Sequence, residues 1–161
     1  MTHFTPITMT RRMALQWIGV GALVAAAPAF AASSLPKVVV NKDPNCGCCE
    51  AWAEHLKAAG FPVDVIARQD MAAVKTSLGV PDDLTSCHSG VVDGYVVEGH
   101  VPAQAIKRLL AERPAATGLS APGMPMGSPG MEGGTPETFD VVLFGPAGRS
   151  VFGRYRGDSA V

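Results

Sequence analysis

The sequence predicts an α/β domain, because short β-branched strands alternate with helices along most of the chain. A second observation is the run Cys46-Gly47-Cys48-Cys49, which stands between the first predicted strand and the first predicted helix. A third is Asp93-Gly94, a dipeptide that favours a tight hairpin turn between two apolar strands. Because Cys46 and Cys49 have Cys-x-x-Cys spacing beside a β-α-β unit, the expected fold is thioredoxin-like.

The first elements follow from apolar patterning. Residues 37–41 are rich in valine and predict a strand, which the following Asp-Pro-Asn turn ends. A helix is predicted over 48–59, with Gly60 as its C-terminal stop. The next strand lies within residues 61–66.

The rest of this unit continues the alternation. The predicted elements are, in order, a short helix over 70–78, strands over 90–92 and 95–97, and a helix over 102–110. Asp70 is a favourable N-cap for the short helix, and Pro102 is suited to the first turn of the last one. The predicted order is therefore β-α-β-α-β-β-α.

The composition narrows the functional classes. The chain has 161 residues, of which 47% are hydrophobic and 17% charged, so a packed core is expected and global disorder is not. Acidic residues outnumber basic ones by 14 to 13, and no Lys/Arg run exceeds a pair. Nucleic acid is not expected as a partner, since phosphate binding needs concentrated positive charge.

The N-terminus has the pattern of an export signal. Arg11-Arg12 precedes an apolar run over 17–27, and Ala29-Phe30-Ala31 fits a small-x-small cleavage site. The paired arginines leave the twin-arginine and general secretory routes both open. The alternative, an uncleaved membrane anchor, is disfavoured because the apolar run is short for a span of about 20 residues. Cleavage near Ala31 would place the protein in the periplasm, with no membrane attachment and with all four cysteines.

The C-terminal third has a different composition. Residues 114–136 are rich in Gly, Pro and Met and are predicted to be loop, followed by a hairpin with strands over 139–144 and 151–155. The expected organisation is a signal peptide over 1–31, a thioredoxin-like domain over 32–113 and a C-terminal extension over 114–161.

Cys46, Cys48 and Cys49 stand where a helix begins, and the partial positive charge of a helix N-terminus stabilises thiolates. A thiolate is both the nucleophile of disulfide exchange and a soft metal ligand, so either chemistry is possible here. In a purely structural role, one of the three would pair with the distant Cys87, which leaves two thiols exposed to oxidation in an oxidising compartment. Three clustered cysteines therefore favour chemistry over structure.

Cys87-His88 precedes the first strand of the Asp93-Gly94 hairpin. In thioredoxin-like folds this position faces the cysteine motif and usually carries a proline. A thiol and an imidazole at this place favour metal coordination, while a loop histidine bound to backbone remains the alternative for His88.

A second group of soft ligands lies in residues 123–131, here called the methionine loop. Met124, Met126 and Met131 do not have helical spacing, so a core stripe is a poor explanation for them. Thioethers are weak ligands for zinc but suit Cu(I). The alternative is a flexible loop in which methionine only fills space.

Three further residues receive structural interpretations. His55 is expected to be a half-exposed helix residue, and Trp52 a core or rim aromatic. His100 is expected to have a structural role at the end of a strand, with an outer-shell hydrogen bond as the alternative.

Four motifs together resemble the CopG-like copper-resistance proteins, a family with a CxCC signature. They are Cys46-Gly47-Cys48-Cys49, Ser86-Cys87-His88, Glu98-Gly99-His100-Val101-Pro102 and Pro122-Gly123-Met124-Pro125 with Gly130-Met131-Glu132. The resemblance covers residues 37–155. It implies a thioredoxin-like domain whose extension completes a metal site, a cysteine-bridged multicopper cluster, and interconversion of Cu(I) and Cu(II) during efflux.

The resemblance also implies which residues act. The cluster ligands and any redox residues would be Cys46, Cys48, Cys49 and Cys87. The extension would supply Met124 and Met131 as ligands, and Met126 is ranked lower. His88 is a further candidate ligand, which comes from the chemical argument above and not from the resemblance. The expected partners are copper ions and components of a copper efflux system, and the protein is expected to be a monomer. The alternatives are a Cu(I) carrier or buffer without turnover and a metal-free thiol-disulfide oxidoreductase.

Overall fold

The computed structural model describes Met1 and residues 34–161. In this part of the chain, three α-helices accompany one eight-stranded sheet, which confirms the mixed α/β class. The helices are α1 (Gly47–Ala58), α2 (Met71–Ser77) and α3 (Ala103–Glu112). The strands are β1 (Val38–Lys42), β2 (Val63–Ala67), β3 (His88–Val92), β4 (Tyr95–Glu98), β5 (Gly118–Ser120), β6 (Thr138–Gly145), β7 (Gly148–Arg156) and β8 (Ser159–Ala160).

The pairing of the strands determines where the cysteines meet. The sheet order is β2-β1-β3-β4-β5-β6-β7-β8, with β1 parallel to β2 and antiparallel to β3. In the β1–β3 register Lys42 is opposite His88, so the segment after β1 and the residue before β3 leave the sheet at the same end. The ends of β4 and β5 lie there too, since Glu98 pairs with both Ser89 and Ser120. Four chain segments therefore converge at one end of the sheet.

The two faces of the sheet differ in polarity. On one face α1 and α3 bury a hydrophobic core with β1 and β4, whose fully buried members include Val38, Trp52, Leu56, Ile106 and Leu109. On the other face lies α2. The structure describes all of its residues, and none of them is buried. Its Lys75 instead reaches buried polar side chains of the sheet. The same face carries a smaller apolar cluster of Val80, Leu84, Val96 and Phe144. Most of the stability comes from the first face, because apolar burial is the dominant favourable term in folding and the larger core lies there.

The C-terminal extension departs from the predicted loop. Gly118–Ser120 forms β5 inside the stretch 114–136, where only loop was expected, and the following strands β6 to β8 continue the same sheet. The predicted final hairpin is present with longer strands, joined by Pro146-Ala147. The order of elements from β1 to α3 agrees with the predicted β-α-β-α-β-β-α order.

The predicted signal peptide lies outside the described residues. Across the residues that are described, no helix combines the length and the apolar character needed to cross a membrane.

A glycine in β5 allows the two halves of the sheet to join. A Cβ on Gly118 would overlap the carbonyl oxygen of Val96 in β4. We expect Gly118→Ala to lower the free energy of unfolding by about 2–3 kcal/mol, because the backbone of neither strand can yield cheaply. Urea unfolding of the metal-free protein measures this change.

The matched control is Gly47→Ala, because a Cβ on Gly47 meets no atom within 4 Å and the residue starts a helix. It should leave stability unchanged or raise it by up to about 1 kcal/mol. Equal effects of the two substitutions would contradict the packing argument.

Candidate metal centre

Four cysteine sulfurs meet at the convergent end of the sheet. The Sγ atom of Cys48 lies 3.5 Å from that of Cys46 and 3.8 Å from that of Cys87. With Cys49, the four sulfurs all lie within 4.8 Å of one another, and we call them the sulfur cluster. The structure therefore brings together the four cysteines that the sequence singled out, although Cys87 is distant from the others along the chain.

Two of these cysteines are joined to each other. A disulfide links Cys46 and Cys49, while Cys48 and Cys87 are free thiols. This differs from the single disulfide to Cys87 that a structural role would have used. The reason is local: Cys46 is the extended N-cap of α1 and Cys49 lies in its first turn, which places their Cα atoms 5.5 Å apart, within the usual range for a disulfide.

A buried lysine organises the loop that carries the motif. The Nζ atom of Lys42, at the end of β1, donates to the carbonyl of Asp43 at 3.1 Å and lies 3.4 Å from the carbonyl of Cys46. It also forms an ion pair with Glu50 of α1 at 3.1 Å. Lys42 thereby ties the strand, the loop and the helix together. This role was not predicted from the sequence, because a lysine ending a strand carries no distinctive pattern.

Two buried histidines flank Cys87. The Sγ atom of Cys87 lies 3.3 Å from Nδ1 of His88 and 3.1 Å from Nε2 of His100. The His100 Nδ1 atom lies 2.8 Å from the carbonyl oxygen of Pro129, which can only accept a hydrogen bond. Nδ1 therefore carries the proton, and Nε2 presents its lone pair towards Cys87. The expected structural role of His100 was incomplete, since this ring directly contacts the sulfur cluster.

His88 lies in a strand and not in a loop. It begins β3, is fully buried, and packs against Trp52 with ring centroids 4.3 Å apart. Among the described residues, its Nε2 atom has no hydrogen-bond partner. Trp52 is the expected core aromatic, and its indole N–H donates to the carbonyl of Val101 at 2.9 Å.

Burial controls the protonation of these groups. It lowers the pKa of His88 well below the ordinary value, with the neighbouring His100 and Lys75 adding to the effect. Burial also lowers the pKa of His100. The pKa of the Cys87 thiol rises to about 12, first through burial and then through the neighbouring Cys48. Without metal, the site at neutral pH thus holds neutral imidazoles beside a protonated Cys87.

The methionine loop is anchored over the sulfur cluster at both ends. At one end, the N–H of Gly123 donates to the carbonyl of Thr85 at 3.2 Å, and the hydroxyl of Ser86 donates to the carbonyl of Gly123. At the other end, Pro129 contacts His100 and Gly130 lies against the backbone of α1. The loop therefore connects the start of α1 with the segment before β3.

The three methionines of this loop differ in exposure. The side chain of Met124 is 55% exposed and that of Met126 is 37% exposed, with the latter packed over Gly134. Met131 is half-buried and directly follows Gly130 at the anchored end. The remaining histidine, His55, is half-buried and accepts the N–H of Ala103 at 3.2 Å, so it links α1 to α3 as a helix residue.

The arrangement supports two kinds of chemistry. Four sulfurs and two neutral imidazole nitrogens form a soft donor set that suits Cu(I) and that zinc also accepts. The same geometry, with a disulfide at a helix N-terminus and a third sulfur 3.5 Å away, suits thiol-disulfide exchange. In both cases the reactive atoms are those of the sulfur cluster.

The chain is similar to one described family and to two solved structures. A family model described as a protein of unknown function, DUF411, matches residues 84–131. Two solved structures of a copper resistance protein, CopG forms 1 and 2, are each 48% identical to this chain. Form 1 covers 76% of this chain and 99% of its own, with a TM-score of 0.71; form 2 covers 75% and 98%, with a TM-score of 0.72. No curated protein matches the chain.

The contact between the methionine loop and α1 can be tested through Gly130. A Cβ on this residue would lie 2.7 Å from the carbonyl oxygen of Cys48 and 2.8 Å from the N atom of Trp52. We expect Gly130→Ala to lift the loop and to speed the reaction of Cys48 and Cys87 with a thiol reagent by about tenfold, as a lost local contact would. The assay uses metal-free protein with the Cys46–Cys49 disulfide intact.

Gly123→Ala is the control. Gly123 also has a positive φ, of +70° against +87° for Gly130, but a Cβ there meets nothing within 4 Å. Both substitutions carry the strain of a left-handed backbone, and only one carries the clash. Similar acceleration in both variants would mean that the loop does not shield the cluster through Gly130.

Proposed function

Because this chain belongs to the CopG-like copper-resistance family, we propose that it binds copper ions as its substrate and interconverts Cu(I) and Cu(II) in detoxification and efflux. The observation that carries the proposal is the sulfur cluster, in which four cysteine sulfurs lie within 4.8 Å of one another. The proposed ligands are Cys46, Cys48, Cys49 and Cys87. Sulfurs this close can be shared between ions, which supports a multinuclear copper cluster.

Histidine and methionine ligands would complete the donor set. His88 and His100 are neutral and flank Cys87, so each offers a nitrogen without first losing a proton. Met131 follows the loop residue that touches α1 and is the better placed thioether, whereas Met124 is exposed and would turn inward on binding. Neutral thioether donation favours Cu(I) over zinc. Met126 is ranked lower, as its side chain packs over Gly134.

The Cys46–Cys49 disulfide supports a redox step that balances within the site. Two Cu(II) ions accept one electron each from the reduced Cys46 and Cys49 thiolates, which gives two Cu(I) ions and one disulfide. In the reverse direction, two Cu(I) ions return the electrons, and the disulfide becomes two thiolates. Cys48 and Cys87 remain free in the oxidised form and can retain Cu(I).

The proposed function also includes a thioredoxin-like domain, an extension that completes the metal site, and export. The order of elements from β1 to α3, with the cysteine motif between β1 and α1, supports a thioredoxin-like domain over residues 32–113. The extension over 114–161 would then complete the metal site through the methionine loop. Export to the periplasm with cleavage near Ala31 is proposed from the sequence pattern, and a monomer that delivers copper to efflux components is proposed with the family resemblance.

Two other functions have specific support. A thiol-disulfide oxidoreductase without metal is favoured by the disulfide at the start of α1 with the Cys48 thiol 3.5 Å from it. A Cu(I) carrier without turnover is favoured by the donor set alone. Reduction of disulfide substrates by the metal-free protein would support the first, and Cu(I) binding without any reduction of Cu(II) would support the second.

Copper loading is expected to depend on Cys48, the sulfur between Cys46 and Cys87. The reduced protein should bind more than one Cu(I) per chain in competition with a chromophoric chelator. Cys48→Ser should lower this stoichiometry strongly and leave the circular dichroism spectrum unchanged, because Cys48 is half-exposed and not part of the core. Ser150→Ala, on an exposed residue of β7, is the control. An unchanged stoichiometry in Cys48→Ser would refute the shared cluster.

The redox step is expected to depend on Cys49. Anaerobic addition of two equivalents of Cu(II) to the reduced metal-free protein should abolish the paramagnetic Cu(II) signal and form one Cys46–Cys49 disulfide per chain, mapped by mass spectrometry. Cys49→Ser should lose the signal more slowly, since its remaining thiols can pair only through Cys48 or Cys87. Cys48→Ser should still reduce Cu(II), because both members of the pair are present. Equal reduction by the two variants would rule out the Cys46–Cys49 pair as electron donor.

A further inference from the structure

A buried ion pair lies behind Cys87, on the polar face of the sheet. The carboxylate of Glu98, at the end of β4, is fully buried. It accepts hydrogen bonds from the ammonium group of Lys75, from the hydroxyl of Ser89 at 2.5 Å and from the backbone N–H of Ser86 at 2.7 Å. These three donors come from α2, from β3 and from the segment that precedes β3. One carboxylate therefore joins three parts of the chain.

The bond to Ser86 holds the residue that precedes Cys87. The side chain of Ser86 packs into the space that Gly99 leaves, where a Cβ would lie 2.5 Å from the Ser86 Cβ and Oγ atoms. Gly99 has a φ of +73° and donates its N–H to the carbonyl of His88. Glu98 and Gly99 thus hold the chain on both sides of Cys87.

Lys75 compensates the buried negative charge of the Glu98 carboxylate. An unpaired buried carboxylate is strongly unfavourable, and Lys75 supplies the compensating charge while also donating to Ser89 at 3.2 Å. The structure describes every residue of α2, and none of them is buried. The contact of Lys75 with Glu98 and Ser89 is therefore the main polar link from α2 to the sheet. Replacing only one partner would leave the other charge unpaired.

We propose that Lys75 and Glu98 form a positioning pair, which holds Ser86 so that the Cys87 sulfur stays beside Cys48. Its consequence for copper rests on the proposed function, whereas the positioning itself is a property of the metal-free protein. Glu98 acts through the Ser86 N–H and Lys75 acts through Glu98. Neither side chain touches the sulfur cluster.

Two double variants separate the hydrogen bond from the charges. Lys75→Met with Glu98→Gln removes both charges and keeps an oxygen that can accept the Ser86 N–H. Lys75→Met with Glu98→Leu removes both charges and also removes that acceptor. Neither variant leaves an unpaired buried charge, so both avoid the largest cost of breaking an ion pair.

The readout is the formation of a Cys48–Cys87 disulfide in metal-free protein that retains its Cys46–Cys49 disulfide. Diamide takes up the two electrons and the two thiol protons, and the new bond is mapped by mass spectrometry. The 3.8 Å separation of the two sulfurs predicts rapid cross-linking in the native protein. We expect the Gln variant to react within about twofold of this rate and the Leu variant about tenfold more slowly, as loss of one ordering hydrogen bond would give.

A second pair of variants reaches the same bond from the donor side and covers the case in which the Leu variant does not fold. Ser86→Pro removes the N–H, whereas Ser86→Ala keeps it; both lose the hydroxyl. The preceding Thr85 has φ −70° and ψ 151°, which is the backbone that a following proline requires. Ser86→Pro should cross-link about tenfold more slowly than Ser86→Ala.

The outcomes are distinct. Native cross-linking rates in the folded Leu variant or in Ser86→Pro would overturn the positioning role, even if the variants are less stable. Because the assay contains no copper, slow cross-linking in these variants would support positioning even if the native protein failed to bind Cu(I). Conversely, Cu(I) binding by the native protein with unaffected cross-linking would refute only the positioning pair.

Discussion

The antiparallel pairing of β1 with β3 is the constraint on which the site depends. It sets Lys42 opposite His88, so the loop after β1 and the residue before β3 emerge together. The contact of Cys87 with Cys48 follows from this register, because backbone hydrogen bonds hold the pairing over five residue pairs. A shift by one residue would turn His88 to the opposite face of the sheet and separate it from Trp52. The cysteines are thus positioned by a hydrogen-bond ladder that contains none of them.

The sequence predicted those parts of the structure whose signals are local. Valine-rich β1, the Asp93-Gly94 turn and the cysteines at a helix start are each readable within a few residues. The strand β5 was missed because Gly118–Ser120 is only three residues long and pairs on both sides through its backbone. The contact of His100 with Cys87 was missed because it depends on the sheet register and on Pro129, which no local pattern encodes.

The two faces of the sheet separate stability from the placement of reactive groups. The face under α1 and α3 carries the larger hydrophobic core. Beside a smaller apolar cluster, the opposite face buries Asn41, Ser89 and Glu98. The hydrogen bonds of these polar residues contribute less to stability than the same area of apolar packing would. What such groups provide is direction, since a hydrogen bond fixes an angle and a distance where an apolar contact does not. The polar face lies behind Cys87, where direction matters most.

The insertion of β5 into the sheet couples the unfolding of the C-terminal region to that of the rest of the sheet. β5 lies between β4 and β6, so residues 121–137, which include the methionine loop, connect two strands of the one sheet. Such a loop can detach from α1 without freeing its ends, whereas release of its ends requires strand separation. Amide hydrogen exchange would therefore show two regimes: fast local opening for residues of the loop, and slow exchange in β6 and β7 that follows global unfolding. A copper ion bound at the site would slow the exchange of the loop amides and would change the exchange in β6 and β7 only weakly.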